Sequence, residues 1–151
     1  MARAGRVLAR DVSEEKVRRT EENIRRMKME NVEVQVFDGT QTDEELAGMA
    51  DVVLLDVPCS GLGVMGKKRD IKYRMTTENA EELSRLQKRI VQAGAPYVKP
   101  GGTLVYSTCT IHRQENEDMV RFIVEELGFE PVSLTGVLPE ALLAEKRRLQ
   151  A

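Results

Sequence analysis

Residues Asp51 to Gly63 read Asp-Val-Val-Leu-Leu-Asp-Val-Pro-Cys-Ser-Gly-Leu-Gly. A short unbroken apolar run, Val52 to Leu55, closed by turn residues is the pattern of a strand buried on both faces in a parallel sheet. Pro58 fixes one φ angle and offers no backbone N–H, and Gly61 and Gly63 permit a sharp turn or a close approach. A carboxylate, Asp56, and a thiol, Cys59, therefore sit just past the carboxyl end of a buried strand, where open α/β sheets bind ligands.

The flanking chain supplies alternating elements. Gly5 to Val12 reads as a strand ending near Asp11. Ser13 then caps a helix running to about Met29, with Glu14 and Glu15 in its first turn and Val17, Ile24 and Met27 facing the core. Glu14–Arg18, Glu15–Arg19, Glu21–Arg25 and Glu22–Arg26 are acid-before-base pairs one turn apart. Val32, Val34 and Val36 alternate with polar residues, which predicts a strand near a sheet edge; it ends at Asp38-Gly39. A short helix is expected from Thr42 to about Met49. A longer helix starts near Thr77, with Leu83, Leu86, Ile90 and Ala93 inward, and Pro96 ends it. Lys99-Pro100-Gly101-Gly102 reads as a tight turn before a buried strand, Thr103 to Ser107. An amphipathic helix is expected from Glu115 to Leu127, with Met119, Val120, Ile123 and Leu127 inward and Gly128 stopping it. One more strand is expected at Phe129 to Val132, and a helix beyond Pro139.

Strands alternating with helices imply a mostly parallel α/β sheet. In such a sheet Asp11, Asp38, Asp56 and Cys109, each at a strand end, converge on one rim. An acid at the end of an early strand suits the ribose of a nucleotide-like cofactor; the competing reading of Asp11 and Asp38 is that each caps its own turn. Cys59 and Cys109 could each be small buried hydrophobes, but two thiols at strand ends beside carboxylates favour chemistry. Metal binding by Cys59, Cys109 and His112 lacks a fourth ligand.

With 151 residues, 41% apolar and 32% charged, the chain can build one soluble domain. Aromatics are 4%, so the core must be aliphatic. The absence of a long apolar span and of a signal-like start implies no membrane partner and a cytoplasmic location, where the cysteines stay reduced. A net charge of −2 excludes nucleic-acid binding by a general basic field. Local patches would have to supply it: Lys67-Lys68-Arg69 with Lys72 and Arg74, and Lys146-Arg147-Arg148, the latter read as a solvated face.

Asp56-Val57-Pro58-Cys59-Ser60-Gly61, Lys99-Pro100-Gly101-Gly102, and Ser107-Thr108-Cys109-Thr110 followed by Glu115-Asn116-Glu117 resemble the NOL1/NOP2/Sun family, most closely its bacterial 16S ribosomal RNA branch. These are S-adenosylmethionine-dependent RNA cytosine-5 methyltransferases. The resemblance runs from Gly5 to about Val132, which leaves 133–151 as a C-terminal extension of a single domain. It implies a Rossmann-like methyltransferase sheet, incomplete at both ends. It implies that Asp11 holds the cofactor ribose, that Asp38 lies near the adenine, and that Asp56 lies between the methionine end and the target base. Cys109 becomes the nucleophile and Cys59 assists product release, although the residues alone leave Cys59 open as the nucleophile. Lys67, Lys68, Arg69, Lys72 and Arg74 become RNA phosphate contacts, with 16S ribosomal RNA as the expected partner.

The family places a first strand and a glycine-rich cofactor loop ahead of the segment matching Gly5, a closing strand beyond the segment matching Val132, and an amino-terminal RNA-binding domain. Their absence from these 151 residues predicts weak or no S-adenosylmethionine binding. It also predicts either a gap in the sheet or a re-paired one, with unpaired strand edges that invite a homodimer. The rival functions are a non-catalytic RNA-binding or interaction module, and a thiol redox protein, which needs the two sulfurs within bonding reach.

Overall fold

The computed structural model describes residues 5–64, 77–133 and 135. Strand β1 (Val7–Asp11) leads into helix α1 (Glu14–Arg26), and strand β2 (Val32–Val36) returns parallel to β1, with Val7 opposite Val32 and Asp11 opposite Val36. Ser13 caps α1 by accepting from Lys16 N. Val17 is buried, but Met27 is 57% exposed, so the helix turns away from the sheet before its last apolar residue. Of the four acid–base pairs, Glu15 and Arg19 meet at 2.6 Å.

The second half repeats the β-α-β plan. Strand β3 (Ala50–Asp56) pairs in parallel with β4 (Val98–Ser107), joined by α2 (Thr77–Gly94) and a 3-10 turn, Ala95–Tyr97, that holds Pro96. Helix α3 (Glu117–Glu125) follows a 3-10 turn at Arg113–Glu115. Val91, Met119, Phe122 and Ile123 form the buried cluster, with Leu55, Leu104, Tyr106, Leu127 and Phe129 packed on it. The core is aliphatic with one phenylalanine at its centre.

Several local expectations are corrected. Between Thr42 and Met49 only Glu44–Leu46 is helical, a single 3-10 turn capped by Asp43. The Lys99–Gly102 turn lies inside β4 as an irregularity: Ala50 faces Val98 and Val52 faces Thr103, so one residue of β3 spans the excursion. Gly101 supplies its positive φ of 77°. Phe129–Val132 is not a strand; Phe129 packs instead against the helix core. Val120 is 47% exposed because α3 turns Met119, Phe122 and Ile123 inward. On α2 Ala93 is buried as expected, together with Ala80, Gln87 and Val91, while Leu83, Leu86 and Ile90 are half-buried. The expected helix beyond Pro139 lies outside the described residues.

The strands form two separate parallel pairs, β1–β2 and β3–β4, so of the two arrangements expected the sheet shows the gap, not re-pairing. Among the described residues each strand is paired on one edge only. β3 is correspondingly buried on one face: Val53 is 9% exposed, whereas Val52 and Leu54 are 61% and 64% exposed. The halves meet through the segment after β2, where Asp43 N donates to the Tyr97 hydroxyl at 2.8 Å and Gly48 N to Pro96 O at 2.8 Å. No helix among the described residues is long and apolar enough to cross a membrane.

Candidate active site

Parallel pairing of β3 and β4 carries Asp56 opposite Ser107, and the chain beyond each strand end turns into the same space. Ser107 Oγ donates to Asp56 Oδ1 at 2.9 Å. Three residues past Asp56 stands Cys59, and two past Ser107 stands Cys109; their sulfurs lie 3.0 Å apart. Cys109 N also donates to Cys59 Sγ at 3.2 Å. Cys109 is exposed, Cys59 is partly buried, and both are free thiols. The structure therefore brings Cys59, Cys109 and Asp56 into one place.

A buried polar hub fixes the two loops. Glu115 and Gln87 are fully buried and Ser60 is nearly so. Glu115 Oε2 accepts from Ser60 N at 2.9 Å and from Gln87 Nε2 at 2.8 Å. The same Gln87 nitrogen donates to Pro58 O at 2.8 Å. Tyr106 donates its hydroxyl to Glu115 O at 2.8 Å, and burial raises its pKa above the ordinary phenol range, with the charge of Glu115 acting in the same direction. Ser60 Oγ and Thr110 Oγ1 share a hydrogen bond of 2.6 Å. Asn116 accepts from Thr108 Oγ1 and donates to the carbonyls of Thr110 and His112, which stitches the turn around Cys109 to the start of α3. Glu115 Oε1 and His112 Nδ1, 3.8 Å apart, are buried without hydrogen bonds.

Glycines complete the fit. Gly61 adopts φ 69°, a left-handed conformation that a side chain disfavours. Gly63 N donates to Cys109 O at 3.1 Å, and a Cβ at Gly63 would stand 2.9 Å from that oxygen. The approach of the two loops depends on its missing side chain.

The thiol pair has an electrostatic consequence. The hydrogen bond with Cys59 raises the Cys109 pKa above the ordinary thiol value, and partial desolvation, charge on Cys59 and the carboxylate of Asp56 act in the same sense.

Asp11 and Asp38 stand at the ends of the other strand pair, engaged locally. Asp11 Oδ1 accepts from Ser13 N at 2.9 Å and its Oδ2 from Lys16 Nζ at 3.2 Å. Asp38 Oδ1 accepts from Thr40 N and Thr40 Oγ1, bonds that lower its pKa. These are the turn-capping contacts that the sequence also allowed. Lys67, Lys68, Arg69, Lys72 and Arg74 lie outside the described residues. No group of three or more His, Cys, Asp or Glu among the described residues could hold a metal ion.

The hub residue least visible in sequence is Gln87, hidden by its polarity at a core position of α2. Glu115 and Asn116 were visible as motif residues but not as the ones that fix the cysteine loops.

The chain is 38% identical over 143 residues to the probable ribosomal RNA small subunit methyltransferase B of Bacillus subtilis, covering 93% of the chain and 32% of that relative. It is 35% identical to ribosomal RNA small subunit methyltransferase F of Cronobacter sakazakii, covering 93% and 30%. It thus spans about a third of the length of these curated relatives. NSun6 from Pyrococcus horikoshii with SFG superposes with a TM-score of 0.66 at 32% identity, covering 81% of this chain and 31% of that one. A methyltransferase homolog protein from the same organism gives 0.68 at 31% identity, covering 80% and 37%. The β-α-β halves are those of the Rossmann-like methyltransferase fold. The family model for 16S rRNA methyltransferase RsmB/F matches residues 1–134, a span that holds both strand pairs, both cysteines and the hub around Glu115, and the chain accordingly belongs to that family.

Proposed function

We propose that this chain carries the catalytic centre for S-adenosylmethionine-dependent methylation of C5 of a cytosine in RNA, with 16S ribosomal RNA as the substrate. The observation that carries the reading is the pair of sulfurs 3.0 Å apart beside Asp56, on loops held by a buried hub. Methylation at C5 needs such a thiol, because the carbon is a poor nucleophile until a sulfur adds at C6 and makes the ring enamine-like. A thiolate both attacks and leaves well.

In this reading Cys109, exposed to the approaching base, adds to C6. Asp56 lies beside it and, protonated or bridging through water, stabilises charge developing on the pyrimidine. Loss of the C5 proton and elimination of Cys109 restore the base, and Cys59, in contact with the Cys109 sulfur, assists that release. The target base must leave its stack to reach the thiols. S-adenosylmethionine, when bound, supplies the methyl group. Asp11, partly buried, and Asp38, exposed, stand at neighbouring strand ends and suit its ribose and its adenine; Lys16 and Thr40 are the partners they would loosen. Lys67, Lys68, Arg69, Lys72 and Arg74 form the basic cluster in the sequence suited to phosphate contacts.

Residues 1–151 are read as one methyltransferase domain. The single-edged pairing of β1 and β3 among the described residues, with Val52, Leu54 and Val105 exposed, supports association with a second copy. Sedimentation reads that directly: a monomer at every concentration removes it.

The test is transfer of a labelled methyl group to unmodified ribosomal RNA by this chain, by Cys109→Ala, and by a version extended upstream. Transfer in the extended version, lost with Cys109→Ala, is expected. No transfer in the extended version, with RNA still bound, would leave a non-catalytic RNA-binding module as the better account.

A further inference from the structure

We propose that Cys59 and Cys109 are a peroxide-responsive pair that closes into a reversible intramolecular disulfide. Their sulfurs are 3.0 Å apart, and a disulfide needs about 2.05 Å, so closure takes roughly 1 Å of relative movement. The loops are already tied together independently of the sulfurs. Gly63 N bonds Cys109 O, and Ser60 bonds Thr110. Ser60 N is in turn anchored on buried Glu115. Little further ordering is required to bring the sulfurs into bonding distance.

The chemistry balances with a hydroperoxide as oxidant. Cys109, the exposed member, gives its proton to solvent base and attacks one peroxide oxygen as thiolate. The O–O bond breaks, hydroxide leaves, and Cys109 becomes a sulfenic acid. The Cys59 sulfur gives up its proton and attacks the Cys109 sulfur, and the S–O bond breaks with loss of a second hydroxide. The two hydroxides take up the two thiol protons. With hydrogen peroxide, two thiols and one oxidant thus give one disulfide and two waters. A resolving thiol at contact distance captures the sulfenic acid before further oxidation to sulfinic acid, which simple thiols do not reverse.

The consequence for function rests on the proposed methylation. Both sulfurs assigned to adduct formation and release are consumed together, so the oxidised site is silent and recovers on reduction.

The experiment treats the full chain with hydrogen peroxide, blocks remaining thiols, digests without reductant and reads the peptides by mass spectrometry. The expected product joins the Cys59 and Cys109 peptides with a loss of about 2 Da, two hydrogens. Both blockable thiols disappear together and return with dithiothreitol. In Cys59→Ser, Cys109 proceeds to sulfinic acid that dithiothreitol does not restore. Sulfinic acid on Cys109 of the unaltered chain with Cys59 still blockable overturns the proposal, as does linkage only between chains. This readout does not use methyl transfer, so failure of the methylation reading leaves it intact. Conversely, methyl transfer that persists in fully disulfide-linked protein would remove Cys109 from catalysis without touching the disulfide.

Discussion

Replacing Glu115 with alanine should separate the two cysteine loops while leaving both thiols in the chain. The carboxylate is fully buried and its Oε2 accepts two hydrogen bonds, from Ser60 N and Gln87 Nε2. Alanine removes the acceptor of the Ser60 N–H, at about 1–3 kcal/mol for a buried donor left unmade. Gln87 keeps its bond to Pro58 O, so its loss is smaller. The space vacated by the side chain adds a packing cost, for a total of about 3–4 kcal/mol. That is a large share of the 5–15 kcal/mol typical of a domain. Glu115→Gln keeps an acceptor and the volume, and should cost about 1–2 kcal/mol. Urea unfolding followed by circular dichroism measures both. Disulfide closure under peroxide then reports loop placement in whatever fraction stays folded, and should be slower in alanine than in glutamine. Alanine within about 0.5 kcal/mol of the unaltered chain, the ordinary range of surface changes, would refute the hub as the element that holds the loops.

The pH midpoint for alkylation of Cys109 should lie above that of an ordinary thiol, because contact with Cys59 raises its pKa; in Cys59→Ala the midpoint should move down, and an unchanged or higher midpoint contradicts the stated cause. Gly63→Ala places a Cβ 2.9 Å from Cys109 O, and should cost about 1–3 kcal/mol by overpacking and slow disulfide closure, measured by denaturant unfolding and by thiol titration.

The elements that were legible in the sequence are those whose pattern depends only on neighbours. The alternation Val32, Val34, Val36 and the run through Val52 to Leu55 mark strands whatever surrounds them, and Ser13 with two following acids marks a helix start. Motif spacing also carried the convergence of Asp56, Cys59 and Cys109, since parallel strands put their carboxyl ends on one side. What failed depended on partners. The Val52–Leu55 run implied cover on both faces, yet β3 is covered on one, because apolar composition records what a strand can bury and not which described elements lie over it. Gln87 was passed over because a polar residue on an apolar stripe looks like an interruption; only the buried Glu115 opposite makes it a core residue. The Phe129–Val132 segment has strand-like residues but pairs with no strand among the described residues, and Phe129 finds its burial against the helix core.

The central claim is that Cys109 attacks the base and Cys59 helps it leave. Incubating each alanine variant, in the upstream-extended chain with S-adenosylmethionine and unmodified 16S ribosomal RNA, and looking for protein–RNA complexes that survive denaturing gels, tests it most directly. Cys59→Ala should accumulate a covalent complex and Cys109→Ala none. Complex in Cys109→Ala and none in Cys59→Ala would make Cys59 the attacking sulfur and contradict the account.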